Sequence, residues 1–135
     1  MAIEQIQHDG KLDIAVGLKF NSKSWKNTKT SWLELVNRLS SATVTNESHA
    51  QFMHASKKDQ CEIKDVGGFV GGFLLNGRRT KDAVSYKQLL TLDIDFSYPN
   101  FWWDFTLIFD CAAVIHSTHK SIPEKPRHRL IIPLN

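Results

Sequence analysis

The sequence predicts an α/β (α+β) domain with a mostly antiparallel sheet, helices packed on one face and an acidic site on the other. Three observations carry this expectation. Stretches with two-residue apolar periodicity recur along the chain, separated by turn residues. Helical segments with cap residues are interleaved among them, which favours a layered arrangement. One strand candidate, Leu90-Thr-Leu-Asp93-Ile-Asp95-Phe96, sets two carboxylates on one side and apolar residues on the other.

Taken in order, Met1 to Gly10 reads as a polar lead-in. Lys11 to Phe20 alternates through Leu12, Ile14, Val16, Leu18 and Phe20 and reads as a strand. Asn21 to Thr30 is polar and reads as a loop. Ser31-Trp-Leu-Glu34 is a capping box, and Trp32, Leu35, Val36 and Leu39 follow at helical spacing. Asn46 can cap a second helix to about Ser56, and Lys57 to Asp65 reads as a charged loop. Gly67 to Leu75 is a glycine-rich strand candidate. It lacks the Gly-Lys-Ser/Thr ending of a phosphate loop, so its glycines are read as allowing close packing. Asn76-Gly77 marks a turn. Strands are then predicted over Gln88–Phe96, Cys111–His119 and His128–Leu134, with a short buried helix over Asn100–Phe109.

The chain has 135 residues, which bounds it to one domain, 1–135. Its 41% hydrophobic and 23% charged content is that of a globular protein, which excludes wholesale disorder. No apolar run is long enough to span a bilayer and no secretory signal opens the chain, so a cytoplasmic protein without membrane contact is expected. Cys61 and Cys111 have no ligand-spaced partners and are read as buried thiols in a reducing compartment. The formal charge of +3 permits a nucleic-acid partner without requiring one. Arg78 and Arg79 follow the turn, where template phosphate or solvent are equally good neighbours. The chain reaches Asn135 directly after a strand, and is read as an N-terminal fragment of a larger protein.

The chemistry centres on Asp93 and Asp95. Side chains two apart on a strand project to one face at a repeat of roughly 6–7 Å. Paired hard oxygen ligands suit Mg²⁺ or Mn²⁺, and such ions serve phosphoryl and nucleotidyl transfer. Further on, Ser117 and His119 share a face if Ala113 to Lys120 is one strand, and His116 would then point the other way. Lys120, Arg127 and Arg129 follow, and arginine forks bind phosphate bidentately. Three ordinary readings stand beside these: a solvated strand face for the acids, a core position for His116 and a loop position for His119.

The order Thr91-Leu-Asp93-Ile-Asp95, then Ser117-Thr-His119, then Pro126-Arg-His-Arg129-Leu-Ile-Ile-Pro133 resembles the archaeo-eukaryotic primase superfamily. It is most similar to the primase–polymerase domains at the N-terminus of phage and mobile-element replication proteins, which often continue into a helicase. The resemblance implies Asp93 and Asp95 as catalytic metal ligands for Mg²⁺ or Mn²⁺. It implies Ser117 and His119, with Lys120, Arg127 and Arg129, as nucleotide-binding residues. It further implies nucleoside triphosphates and a DNA template as partners, a helicase domain in the parent protein, and metal-dependent nucleotidyl transfer as the reaction. The family's third acidic motif has no counterpart, since Glu124 in a proline-flanked loop is the only acid after His119. That carboxylate is expected beyond Asn135. The residues leave three other classes open: a non-catalytic nucleic-acid-binding module, a metal-dependent nuclease, and a protein-interaction or regulatory domain with a degenerate site.

Overall fold

A computed structural model describes residues 10–134. The fold is mixed α+β, and every strand pairing is antiparallel. The strands form three small sheets, ordered β2-β1-β3, β4-β5 and β6-β8-β7.

The first sheet is built on β1 (Lys11–Gly17), flanked by β2 (Lys26–Ser31) and β3 (Gly68–Val70). Strand β2 falls where the sequence predicts a loop. Its residues, Lys-Asn-Thr-Lys-Thr-Ser, show no apolar alternation because it is an edge strand held by its ladder to β1. Central β1 is buried on both sides. Leu12 and Ile14 join one core cluster with Trp32, Leu35, Leu89 and Ile131. Ala15 joins a second with Trp25 and Leu74.

Helix α1 (Trp32–Leu39) starts where the capping box requires. The Ser31 hydroxyl accepts from the Glu34 N–H, and the Ser31 N–H donates to Glu34 Oε2. The second helix, α2 (His49–His54), is capped by Ser48 rather than Asn46. Residues 57–64, expected as a loop, form a third helix, α3 (Lys57–Lys64), capped by Ser56. It has almost no apolar stripe. Gln60, nearly buried, supplies the fastening: its side-chain amide donates to the carbonyl of Phe52 at 3.0 Å and lies near those of Met53 and Ala55.

The glycine-rich segment is two strands. It breaks at Gly71 into β3 of the first sheet and β4 (Gly72–Leu74) of the second, where β4 pairs with β5 (Val84–Lys87). A Cβ on Gly71 would lie 2.5 Å from that of Leu89, and one on Gly72 would strike the Tyr86 carbonyl. Close packing is therefore what these glycines allow.

The third sheet carries β6 (Leu89–Ile94), β8 (His128–Pro133) and β7 (Val114–Ser117). Helix α4 (Phe101–Ile108) lies between β6 and β7 in the chain, as predicted, and stacks Phe101 on His128 with centroids 6.3 Å apart. It is not a buried helix. Phe105 is buried, whereas Trp103, Leu107 and Ile108 are exposed. Leu90 and Leu92, expected to bury, are also exposed, because the core cluster meets β6 through Leu89 on the other face, and Phe96, expected to bury, is exposed in the turn beyond β6. Both cysteines, read from sequence as buried thiols, are exposed. Among the described residues no helix is long and apolar enough to cross a membrane.

Candidate functional site

The register of the third sheet decides which side chains meet. Asp93 lies opposite Arg129, which lies opposite His116 on its other side. Directly paired residues share a face, so Asp93, Arg129 and His116 form a row across three strands. The same face continues to Leu89, Ile131 and Val114, which belong to the core or pack against it. One face thus runs from an apolar, buried end to a charged, open end.

At the open end the acids are paired. Arg129 Nε donates to Asp93 Oδ1 at 2.6 Å. Asp95, one residue past the end of β6, lies 3.5 Å from Arg127 Nη1. The side chains of Asp93 and Asp95 keep 57% and 58% of their surface open to solvent, so both carboxylates can accept further ligands. The hydrogen bond from Arg129 holds the Asp93 carboxyl below its ordinary value. Partial burial opposes this, while the charges of Arg129 and His116 reinforce it.

The structure brings together four of the seven residues predicted from sequence: Asp93, Asp95, Arg127 and Arg129. Ser117 lies opposite His128, and so on the face away from Asp93. There it lines a depression of about 440 Å³ with Pro99, Ser121, Ile122, Pro123, Pro126 and His128, and His128 Nδ1 lies 2.6 Å from Ser97 Oγ. His119 lies beyond the end of β7 and stacks on Phe52 of α2, with centroids 4.2 Å apart. Lys120 sits in the turn that follows. His116, weighed from sequence as a core residue, stands instead on the acidic face. Its Nδ1–H donates to the Ser117 carbonyl at 2.9 Å, which fixes the ring. Only the β7–β8 register could have revealed this placement.

The described residues hold no cluster of three or more His, Cys, Asp or Glu able to grip a metal. What they offer is two open carboxylates. That donor set fits Mg²⁺ or Mn²⁺, ions commonly held by one or two carboxylates with water and substrate phosphate filling the other positions.

The VapE N-terminal domain model matches residues 1–135. The chain belongs to the VapE N-terminal domain family. Membership associates this VapE domain with phage and mobile-element proteins. No curated protein and no solved structure shows significant similarity to it.

Proposed function

We propose that this VapE N-terminal domain is the metal- and nucleotide-binding part of a replication primase–polymerase, working on a DNA template in the cytoplasm, with a helicase region in the parent protein. The observation that carries the reading is the pair Asp93 and Asp95, open to solvent and facing Arg129 on the neighbouring strand and Arg127 just before it. Carboxylates and arginines interleaved in this way match a magnesium–triphosphate, which presents cation and anion side by side. On binding, Arg127 and Arg129 exchange carboxylate for phosphate oxygens. Exposed ion pairs contribute little, so the exchange costs little. Asp93 and Asp95 are then free to ligate Mg²⁺ or Mn²⁺. A divalent ion held there supplies charge stabilisation for nucleotidyl transfer. His116, on the same face, joins the arginines in orienting the triphosphate. Ser117 and His119 stand outside that face.

Calorimetric titration of Mn²⁺, with and without a nucleoside triphosphate, tests this on the wild type and on Asp93→Ala/Asp95→Ala. Binding that tightens with nucleotide and vanishes in the variant is expected. Unchanged binding in the variant would sink the reading.

One observation favours a second reading. With both acids paired to arginines and no three-residue metal cluster among the described residues, the domain also fits a nucleic-acid-binding module without catalysis. Salt-sensitive DNA binding with no heat from Mn²⁺ or nucleotide would select it.

A further inference from the structure

The arginines of the acidic face are neutralised by their carboxylates. A different group of cations is not. The β1–β2 connection and the turn after β4 face each other across a cleft of about 420 Å³, lined by Phe20, Asn21, Ser22, Lys23, Arg78, Arg79 and Thr80. Three of these are cationic and none is acidic. Asp82 and Asp65 lie outside the lining, and the Asp65 carboxylate borders it, where it accepts from the Phe20 N–H.

The cleft walls are tied together. The Trp25 N–H donates to the Gly77 carbonyl at 2.8 Å, and Trp25 Nε1 donates to the Ser22 carbonyl at 3.0 Å. Asn76 and Gly77 both take positive φ, which makes the sharp turn that brings Arg78 and Arg79 alongside. Arg79 Nη1 lies 3.3 Å from the Phe20 carbonyl, and its guanidinium sits 5.4 Å above the Trp25 ring. On the other wall, the Phe20 N–H donates to Asp65 Oδ1 and Lys19 Nζ to the Asp65 carbonyl. These anchors hold the backbone while Phe20 stays 56% exposed at the rim. Lys23 and Arg78 are exposed, and neither side chain has a protein partner among the described residues.

We propose that this cleft is a binding site for the phosphodiester backbone of single-stranded nucleic acid. Lys23 and Arg78 contact phosphate, Arg79 acts as a fixed charge braced on Trp25, and Phe20 offers a ring for a base to stack on. A preorganised cation group with no acid in its lining, beside an exposed aromatic, is the combination that single-strand binding uses. A nucleic-acid strand supplies phosphate for the cations and a planar base for Phe20 in one ligand, whereas a protein partner would have to bring an acid and a ring together. The site belongs to the first two sheets, apart from the acidic face of the third, and does not depend on that face being catalytic.

Fluorescence anisotropy with a labelled oligothymidylate over a salt series tests this. Four proteins are compared: wild type, Lys23→Ala/Arg78→Ala, Phe20→Ala, and Lys57→Ala/Lys58→Ala on α3 as a control with equal charge loss. Lys23→Ala/Arg78→Ala should weaken binding about tenfold and lower the salt slope by about 1 to 1.5, the share of two single-strand phosphate contacts. Phe20→Ala should weaken binding without changing the slope. The α3 control should behave as wild type, and Mn²⁺–nucleotide titration of Lys23→Ala/Arg78→Ala should match wild type. Equal affinity and slope in wild type and Lys23→Ala/Arg78→Ala would overturn the site, as would an equal loss in the α3 control. Competition by inorganic phosphate as strong as that by unlabelled oligonucleotide would also overturn it, by identifying a free-phosphate site.

Discussion

The two ends of one sheet face differ in what covers them. On β6 and β8, Leu89 and Ile131 stand at one end of the shared face, and Asp93 and Arg129 at the other. The first pair is sealed beneath α1 and β1 and is almost fully buried. The second pair is open, and the Arg129 side chain keeps 43% of its surface in solvent. The backbone ladder is the same along its length. What changes is the cover: the β2-β1-β3 sheet and α1 lie over the first end only. A short sheet can thus serve as fold and as site at once, with stability invested at one end and chemistry displayed at the other.

The sharpest way to break this comparison is at the covered end. Ile131 is fully buried. Ile131→Ala removes most of a core side chain and leaves a cavity, so it should cost about 2–5 kcal/mol of unfolding free energy. Chemical denaturation followed by tryptophan fluorescence measures it. A cost below 1 kcal/mol would mean that this end is not the structural one. A smaller effect is expected at Gly71, which backs onto the same end. A Cβ there would lie 2.5 Å from that of Leu89, and neither backbone can easily retreat. Gly71→Ala should cost about 1–3 kcal/mol through overpacking. Alanine at position 89 would keep the clashing Cβ, so Leu89→Gly tests the contact: the double variant should be destabilised by less than the sum of the two single changes.

The sequence carried the local features well and the relations between strands poorly. The Ser31–Glu34 capping box and the spans of β6 and β8 follow from neighbours within a few residues, while Asp95 falls one residue past the end of β6. Strand β2 was hidden because an edge strand can be wholly polar when its ladder holds it. Helix α3 was hidden because Ser56 and Gln60, rather than an apolar stripe, maintain it. The predicted strand over 111–119 is real only as Val114–Ser117, so the alternation that would join Ser117 to His119 ends before His119. The composition of the acidic face was half legible. Which residues of β7 and β8 face Asp93 depends on register, where a slip of one residue exchanges His116 for Ser117. A hydrophobic pattern can fix register, but in β7 Val114 and Ile115 put an apolar residue on each face, so the pattern does not say which face His116 takes. The cleft cations Arg78 and Arg79 were visible as charges, but their convergence with Lys23 and Phe20 required the tie between Trp25 and Gly77.

The smallest expected effect lies at the open end and gives the comparison its finest test. Asp93→Asn keeps the shape of the side chain and removes its charge. The pair with Arg129 is exposed, so the variant should lose under about 1 kcal/mol of stability at neutral pH. The pH dependence identifies the source of that loss. The Arg129 hydrogen bond lowers the folded carboxyl below its ordinary value of 3.8. A group depressed on folding binds fewer protons folded than unfolded, so it favours the folded state above its unfolded value. That contribution is complete above 3.8 and fades as pH falls through the lower folded value. The stability gap between wild type and Asp93→Asn should therefore be constant near neutrality and narrow in acid. An Arg129→Gln background should abolish most of the gap at every pH, since the partner is then gone. A gap that persists unchanged below the depressed value would mean that Asp93 acts through packing rather than charge. The open end would then be part of the fold's support, and the division of labour along this face would fail.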